Sequence, residues 1–427
     1  VSAGAIAGKP DLAWRTLTVH LGATALNQLA GRGASALLAI SIARSLGAAG
    51  QGELTLASAV VDVGCVLGAL GLQQSNSHHV AEDRARLPAL LGNSLVVSGV
   101  LTAVGVVGAV AFYGASGAPL AKALVVCALL AIPVSTVSQL LLGLMWGLSD
   151  VREANLLQLG QSLLPLLPVA IAVRFGLLTP AVALLATTGG LLIPVLGSAW
   201  LLVRRHHARP QLSRPLLTAS LSYGVRWCAN SFLLMMLDKS LFFLVAALRG
   251  SADVAYMWVA MGTSDALQLL PAAAASVLLP RLSKLETPAE RYAMANRVGR
   301  WLTGVMAAEA FALALLMKWV VPTFFGAAYA PAITGCIVLL VAFISEGMGR
   351  AQYLFLAASR RHALALYGSL AGGGAALAVC WALVPRYGTL GAVFGVATGQ
   401  LVTALAITLC AQVVMRDAAP TSAVVPR

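Results

Sequence analysis

Twelve long apolar stretches, each closed by a short polar cluster, run along this chain. Their spans are 16–43, 53–75, 89–112, 121–146, 154–174, 180–203, 217–247, 254–279, 298–320, 331–358, 363–384 and 389–414. Most are long enough to cross about 30 Å of hydrocarbon at ~1.5 Å per residue. None alternates with period two, so helices are expected rather than a β-barrel. The pattern predicts an all-α membrane protein of twelve transmembrane helices. An even number places both termini on one side.

Composition agrees. The chain has 427 residues, 59% of them hydrophobic and only 10% charged, with a mean hydropathy of +0.87. A soluble globular chain carries about 25% charged residues. A soluble enzyme, a disordered chain and a coiled coil are excluded. The first 15 residues include Lys9, Asp11 and Arg15 and do not read as a cleavable leader. The six cysteines, Cys65, Cys127, Cys228, Cys336, Cys380 and Cys410, all fall in apolar segments without a C-x-x-C pair. They read as small buried residues rather than metal ligands or disulfides.

The net charge of +13 would suggest nucleic acid in a soluble protein. Here its distribution speaks for topology. With the N-terminus inside, 18 of the 28 Lys and Arg fall on the inner side, 6 on the outer and 4 within segments. By the positive-inside rule both termini are expected in the cytoplasm. No nucleic-acid partner is expected. The domain reading is a cytoplasmic N-terminus 1–15, an N-terminal lobe 16–203, a basic linker 204–216, a C-terminal lobe 217–415 and a cytoplasmic tail 416–427. The linker motif RRHHARPQLSRP at 204–215 reads as orientation charge, or alternatively as a lipid-headgroup contact. The two halves repeat weakly. Each opens with a long helix, a short outer turn and a second helix with a central acid, Asp62 or Asp265. This is the layout of a parallel-repeat transporter, two six-helix lobes related by a pseudo-two-fold axis along the membrane normal.

Ionisable groups inside hydrocarbon cost about 2.5–3.5 kcal/mol each on the insertion scale and default to functional candidates. There are nine: Arg32, Asp62, Arg226, Asp238, Lys239, Asp265, Glu309, Glu346 and Arg350. In the first segment His20, Thr24, Asn27, Gln28, Gly31, Arg32 and Ser35 recur at three- and four-residue steps, forming one polar helical face. Tyr223, Arg226, Asn230 and Asp238 repeat the pattern in the seventh. Such a face looks either at an aqueous cavity or at buried structural hydrogen bonds. Depth allows Arg32 to pair with Asp62 or Asp265, as a switchable pair or as a permanent salt bridge. Glu346 and Arg350, at i and i+4, read as a local pair. Glu309 stands alone in an alanine-rich helix. Asp238 and Lys239 are neighbours expected on different faces. Pro133, Pro165, Pro168, Pro194 and Pro271 are candidate kinks. Gly391, Gly395 and Gly399, with Gly64/Gly68, Gly143/Gly147 and Gly368/Gly372, repeat G-x-x-x-G and predict close packing within a monomer. No Walker A, H-E-x-x-H or G-x-S-x-G motif is present, so no enzymatic activity is expected.

Several motifs carry a family resemblance. They are LGAAGQGELTLASAVVDVGCVLGALGLQQSNSHHVAE at 46–82, YGVRWCANSFLLMMLDKSLF at 223–242, LLPRLSKL at 278–285, PTFFGAAYAPA at 322–332, and Tyr387-Gly388 with Gly391-Ala392. Together they resemble bacterial polysaccharide and O-antigen flippases of the multidrug/oligosaccharidyl-lipid/polysaccharide exporter superfamily. Ala255 departs from the pattern, where a glycine is common. The resemblance implies a central cavity lined chiefly by helices one, two, seven and eight. It implies a cargo of oligosaccharide on an undecaprenyl-type diphosphate, flipped from the inner to the outer leaflet of the bacterial cytoplasmic membrane by alternating access. Asn27, Gln28, Arg32, Arg226, Asn230 and Lys239 are then the substrate-binding candidates. Asp62, Asp238, Asp265, Glu309, Glu346 and Arg350 are the ion-pair or coupling candidates. No cofactor or metal is implied beyond a coupling ion, H⁺ or Na⁺. The partners implied are the lipid-linked oligosaccharide, membrane lipids, and a glycan polymerase and glycosyltransferases of the same pathway, the protein itself being a monomer. The alternatives are a cation-coupled multidrug exporter and a peptidoglycan-precursor flippase. One tension remains at this level. The nine intramembrane charges sum to −1, whereas a diphosphate cavity should be positive. Either some acids are paired or protonated, or the cargo is less anionic.

Overall fold

The computed structural model describes residues 10–115 and 122–417, and every regular element among them is helical. The order is α1 (Pro10–Ala69), α2 (Leu72–Glu82), α3 (Leu87–Ala115), α4 (Lys122–Gly147), α5 (Val151–Leu163), α6 (Leu166–Arg174), α7 (Pro180–Arg205), α8 (Arg214–Arg249), α9 (Ser251–Leu267), α10 (Leu269–Lys284), α11 (Pro288–Phe324), α12 (Ala332–Phe343), α13 (Glu346–Ala358), α14 (His362–Tyr387) and α15 (Thr389–Asp417). Eight helices are long and apolar enough to cross a bilayer, and two bent helix pairs raise the number to ten. Twelve segments were expected. Two of them lie in α1, which turns at Gly47 (φ 65°, ψ −179°). The seventh is α8, whose apolar run is interrupted by Arg226, Asp238 and Lys239.

The breaks have local causes. Pro271 lacks an amide hydrogen and its ring crowds the carbonyl four residues back. The chain accordingly stops α9 at Leu267 and bends by 43°. Pro165 separates α5 from α6, and the backbone of α7 crosses there so closely that a Cβ on Gly190 would stand 2.5 Å from the Pro165 Cα. The 41° bend between α12 and α13 has no proline. Tight i→i+3 bonds, Ser345 N–H to Ala342 O (3.2 Å) and Gly347 N–H to Ile344 O (3.2 Å), carry the chain through it. Gly347 then lies on the α11 backbone, 2.6 Å from Thr303 N for an added Cβ. Helix α11 begins well before residue 298. Pro288 is at its first turn, and a capping box joins Thr287 and Glu290, with Glu290 N–H bonding Thr287 Oγ1 at 3.2 Å.

The outer faces look like a lipid surface. Val100, Val104 and Val107 are 58–69% exposed along one stripe of α3. On α11, exposed Trp301 and Trp319 lie roughly 27 Å apart at 1.5 Å per residue, the thickness of a hydrocarbon layer. Tryptophan favours the two interfaces that bound it.

The chain divides into two compact units. One holds Val1–Leu46 and Ala57–Phe232, the other Gly47–Leu56 and Leu233–Arg427. In the first, buried Leu90, Leu141, Leu144, Met145, Leu148 and Leu202 join α3, α4 and α7. In the second, Leu278, Leu282, Ala295, Ala351, Leu354 and Phe355 join α10, α11 and α13. Each G-x-x-x-G pair faces a helix of its own unit. Gly64 and Gly68 meet Ile132 and Thr136 of α4, while Gly143 and Gly147 meet the Gln73 and Ser77 carbonyls of α2. Gly368 meets Ile407, and Gly399 lies against Ala376 and the Gly372 carbonyl.

The stretch 206–213 is docked on the first unit. His206 Nε2 pairs with Asp150 Oδ2 at 2.6 Å. Asn93 grips Ser213 twice, accepting its N–H (3.0 Å) and donating to its carbonyl (2.8 Å). Gln211 N–H bonds Pro88 O at 3.0 Å, and Ala208 is buried. Asn93→Ala orphans both Ser213 groups, at a cost of about 1–3 kcal/mol. Proteinase K cleavage within 206–213 is expected to rise several-fold, and an unchanged digestion pattern would refute the docking.

Candidate functional site

The polar face of α1 opens onto a cavity of about 430 Å³ in the first unit. It is lined by Asn27, Gln28, Gly31, Arg32 and Ser35 of α1 and by Gln158 and Ser162 of α5. These α1 residues fall at steps of one, three and four, so one helical face carries them all. Helix α5 answers with Asn155, Gln158 and Ser162 at steps of three and four. Gln161, on the adjoining face, donates to Ser138 Oγ of α4 at 2.8 Å and anchors the helix. Gly31 lets the helices approach, since a Cβ there would meet Ser162 Oγ at 3.2 Å.

Arg32 is the only charge among the described residues of this lining. Among the described residues its guanidinium has no hydrogen-bond or ion-pair partner, so no salt bridge joins it to Asp62. The Gln158 Oε1 is buried without a partner among the described residues. The described lining therefore offers a guanidinium, three side-chain amides and two hydroxyls, with no acid among the described residues. Such a set suits a bidentate anion such as a phosphate group.

The other candidates are dispersed. The side chains of His20, Thr24, Arg226 and Asn230 lie outside the described residues. Asp62 and Asp265 are exposed, and Gln268 Nε2 donates to Asp265 Oδ1 at 3.1 Å. Glu346 and Arg350 form the expected pair at 2.6 Å. It is more than a pair, because Gln400 Nε2 of α15 also donates to Glu346 Oε2 at 2.6 Å. Glu346 opens α13, where the helix N-terminus favours a carboxylate. Asp238 and Lys239, expected on different faces, instead approach to 3.9 Å because the long lysine stem folds back. Asp238 lines a second cavity of about 210 Å³ with Ser369, Gln400 and Thr403. Glu309 stays apart from these groups, its Oε2 buried without a partner among the described residues.

The sequence reading overlooked Gln158, Ser162, Ser369, Gln400 and Thr403. It weighted charges, and none of these is charged. The 3–4 spacing of polar residues in the fifth segment was the usable signal.

Residues 20–286 match the family described as polysaccharide biosynthesis protein. The chain belongs to that family. Solved structures agree on the fold. The chain is similar to an inward-facing multidrug resistance MATE family transporter of the MOP superfamily, at 16% identity and a TM-score of 0.73, covering 91% of this chain and 96% of that one. It is also similar to the lipid II flippase MurJ in an inward closed conformation, at 10% identity and a TM-score of 0.72, covering 91% and 87%. A MOP superfamily transporter from Pyrococcus furiosus, whose binding pocket is described as reversed in polarity, matches at 15% identity and a TM-score of 0.63, covering 94% and 96%. No curated protein matches the chain. The protein is thus a multi-pass membrane protein of the polysaccharide biosynthesis protein family, with the fold that MATE transporters and MurJ share.

Proposed function

We propose that this family member flips an oligosaccharide linked to an undecaprenyl-type diphosphate from the inner to the outer leaflet of the bacterial cytoplasmic membrane. One observation carries the reading: among the described residues, the α1–α5 cavity presents the Arg32 guanidinium, without an ion-pair partner, beside amides and hydroxyls and no acid. Arginine takes phosphate oxygens in a bidentate fork, and amides and hydroxyls suit sugar. The net −1 of the intramembrane charges does not describe this cavity, because none of the five acids is among its described lining residues. A cationic drug would find no counter-charge among the described residues of that lining.

In this proposal the chain spans the membrane twelve times, with both termini in the cytoplasm and two six-helix lobes. The two arms of α1 then count as separate spans, as does α8. The stretch Asn27–Ala69 has 43 residues, about 65 Å of helix, twice the hydrocarbon thickness. Lys and Arg asymmetry supports the orientation. Transport follows alternating access driven by an ion gradient, H⁺ or Na⁺. Among the coupling candidates Asp238 faces a cavity, whereas Glu346 is engaged by Arg350 and Gln400.

Depletion of the protein tests the proposal. Lipid-linked glycan is expected to accumulate on the inner leaflet while its synthesis continues, read by leaflet-selective labelling in inverted vesicles. Unchanged leaflet distribution with normal surface glycan would reject it.

A further inference from the structure

At the end of α2 three metal-binding side chains converge. His78, His79 and Glu82 follow an H-H-x-x-E spacing on the last turn of the helix. One donor atom from each lies within 4.8 Å of the others. His78 Nε2 stands 3.3 Å from Glu82 Oε1, and His79 Nδ1 stands 3.4 Å from Glu82 Oε2. We infer that His78, His79 and Glu82 form a binding site for a divalent transition metal of the zinc class.

The geometry supports this directly. A tetrahedral ion with bonds of roughly 2.0–2.1 Å to nitrogen and oxygen holds neighbouring donors about 3.3–3.4 Å apart. The His78 Nε2–Glu82 Oε1 separation matches that edge length, and all three donors lie close enough for side-chain rotation to bring them onto one ion. Two imidazoles and one carboxylate are a common zinc donor set that leaves a position for water. Arg86 Nη1 bonds Glu82 Oε2 at 3.1 Å, so one oxygen can meet the metal while the other keeps the arginine, as outer-shell partners do.

The site is also held in place from outside its own helix. Tyr223 of α8 stacks on the His78 ring, with centroids 5.0 Å apart and planes 10° from parallel. His79 lies 6.1 Å from the same ring. Nearby, Gly71 lies against the Gly224 backbone, which fixes α2 beside α8 within this unit. The C-terminal end of α2 adds a favourable field for a cation. Because Tyr223 leans on a ligand ring, bound metal is expected to stiffen the α2–α8 contact.

The test uses the full-length, tag-free protein in detergent, titrated with Zn²⁺ and separately with Co²⁺. One ion per chain is expected to disappear on Glu82→Gln or on His78→Ala/His79→Ala. Affinity should fall at least tenfold, the range seen even for outer-shell changes. Bound Co²⁺ should show the d–d bands of nitrogen and oxygen ligation without a thiolate charge-transfer band. Zn²⁺ should raise the melting temperature of the wild type and leave that of Glu82→Gln unchanged. The Glu82 side chain is nearly half exposed, so Glu82→Gln is expected to fold and keeps the test decisive should the double variant, which also removes the largely buried His79, fail to fold. Binding that survives both variants, a thiolate band, or no binding at micromolar Zn²⁺ would overturn the assignment and leave the cluster as an ion-pair staple.

Discussion

Arg32→Ala is expected to abolish glycan export while leaving the protein inserted at its normal level. The side chain is exposed to the cavity and has no partner among the described residues, so its removal orphans none of them and costs the fold little. For a diphosphate cargo the loss is large. Each hydrogen bond from a charged donor contributes about 1.5–3 kcal/mol, and a two-bond fork is therefore about 10²-fold or more in affinity. Arg32→Lys keeps the charge but not the fork and should retain a fraction of export. Gln158→Leu, on the facing helix, should give a milder loss because it removes a neutral amide. Surface glycan assayed alongside membrane protein level distinguishes these outcomes. Normal surface glycan in Arg32→Ala would remove the cavity from the mechanism.

Gly395→Val is expected to produce the largest loss of stability. Helices α14 and α15 pack through small residues, and without a strong hydrophobic drive in lipid such packing rests on close contact. A Cβ at Gly395 would meet the Cys380 Sγ, with the Ala376 carbonyl at 2.8 Å and the Cys380 amide nitrogen at 3.0 Å. Backbone atoms cannot rotate away. Overpacking of this kind costs about 1–3 kcal/mol or more, and valine adds two further methyl groups. The melting temperature of the solubilised protein should fall by several degrees. Gly374→Ala, on the same hairpin but with nothing within 4 Å of an added Cβ, serves as the control and should melt as the wild type. Equal melting of both variants would show that the hairpin does not rest on this contact.

Much of this organisation was legible before any coordinates. The polar face of the first segment, Asn27, Gln28, Gly31, Arg32 and Ser35, is the α1 lining of the cavity, because helical periodicity alone places those residues together. The Glu346/Arg350 pair was legible for the same reason, being one turn apart on one helix. The Gln400 amide that completes it was not, because its proximity depends on how α15 packs beside α13. Gln158 and Ser162 were missed for a related reason. An uncharged polar residue in an apolar segment costs little, so it carries a weak signal until a facing helix is known. The α12–α13 bend has no proline to announce it and follows from the seating of Gly347 on α11.

The sequence by itself determined that the protein is a helical membrane protein, where its apolar segments lie, and which residues share a helical face. These are local properties of hydropathy and of the 3.6-residue period. Only the tertiary structure decided that Arg32 has no partner among the described residues while Asp238 and Glu346 are engaged, and that α5 closes the cavity with α1. Only it decided that the stretch 206–213 is docked by Asn93 and that His78, His79 and Glu82 converge beside Tyr223. Each of these depends on a side-chain position within a few ångströms of a partner, or on the packing of a remote helix, and hydrogen bonds and ion pairs are decided at that distance.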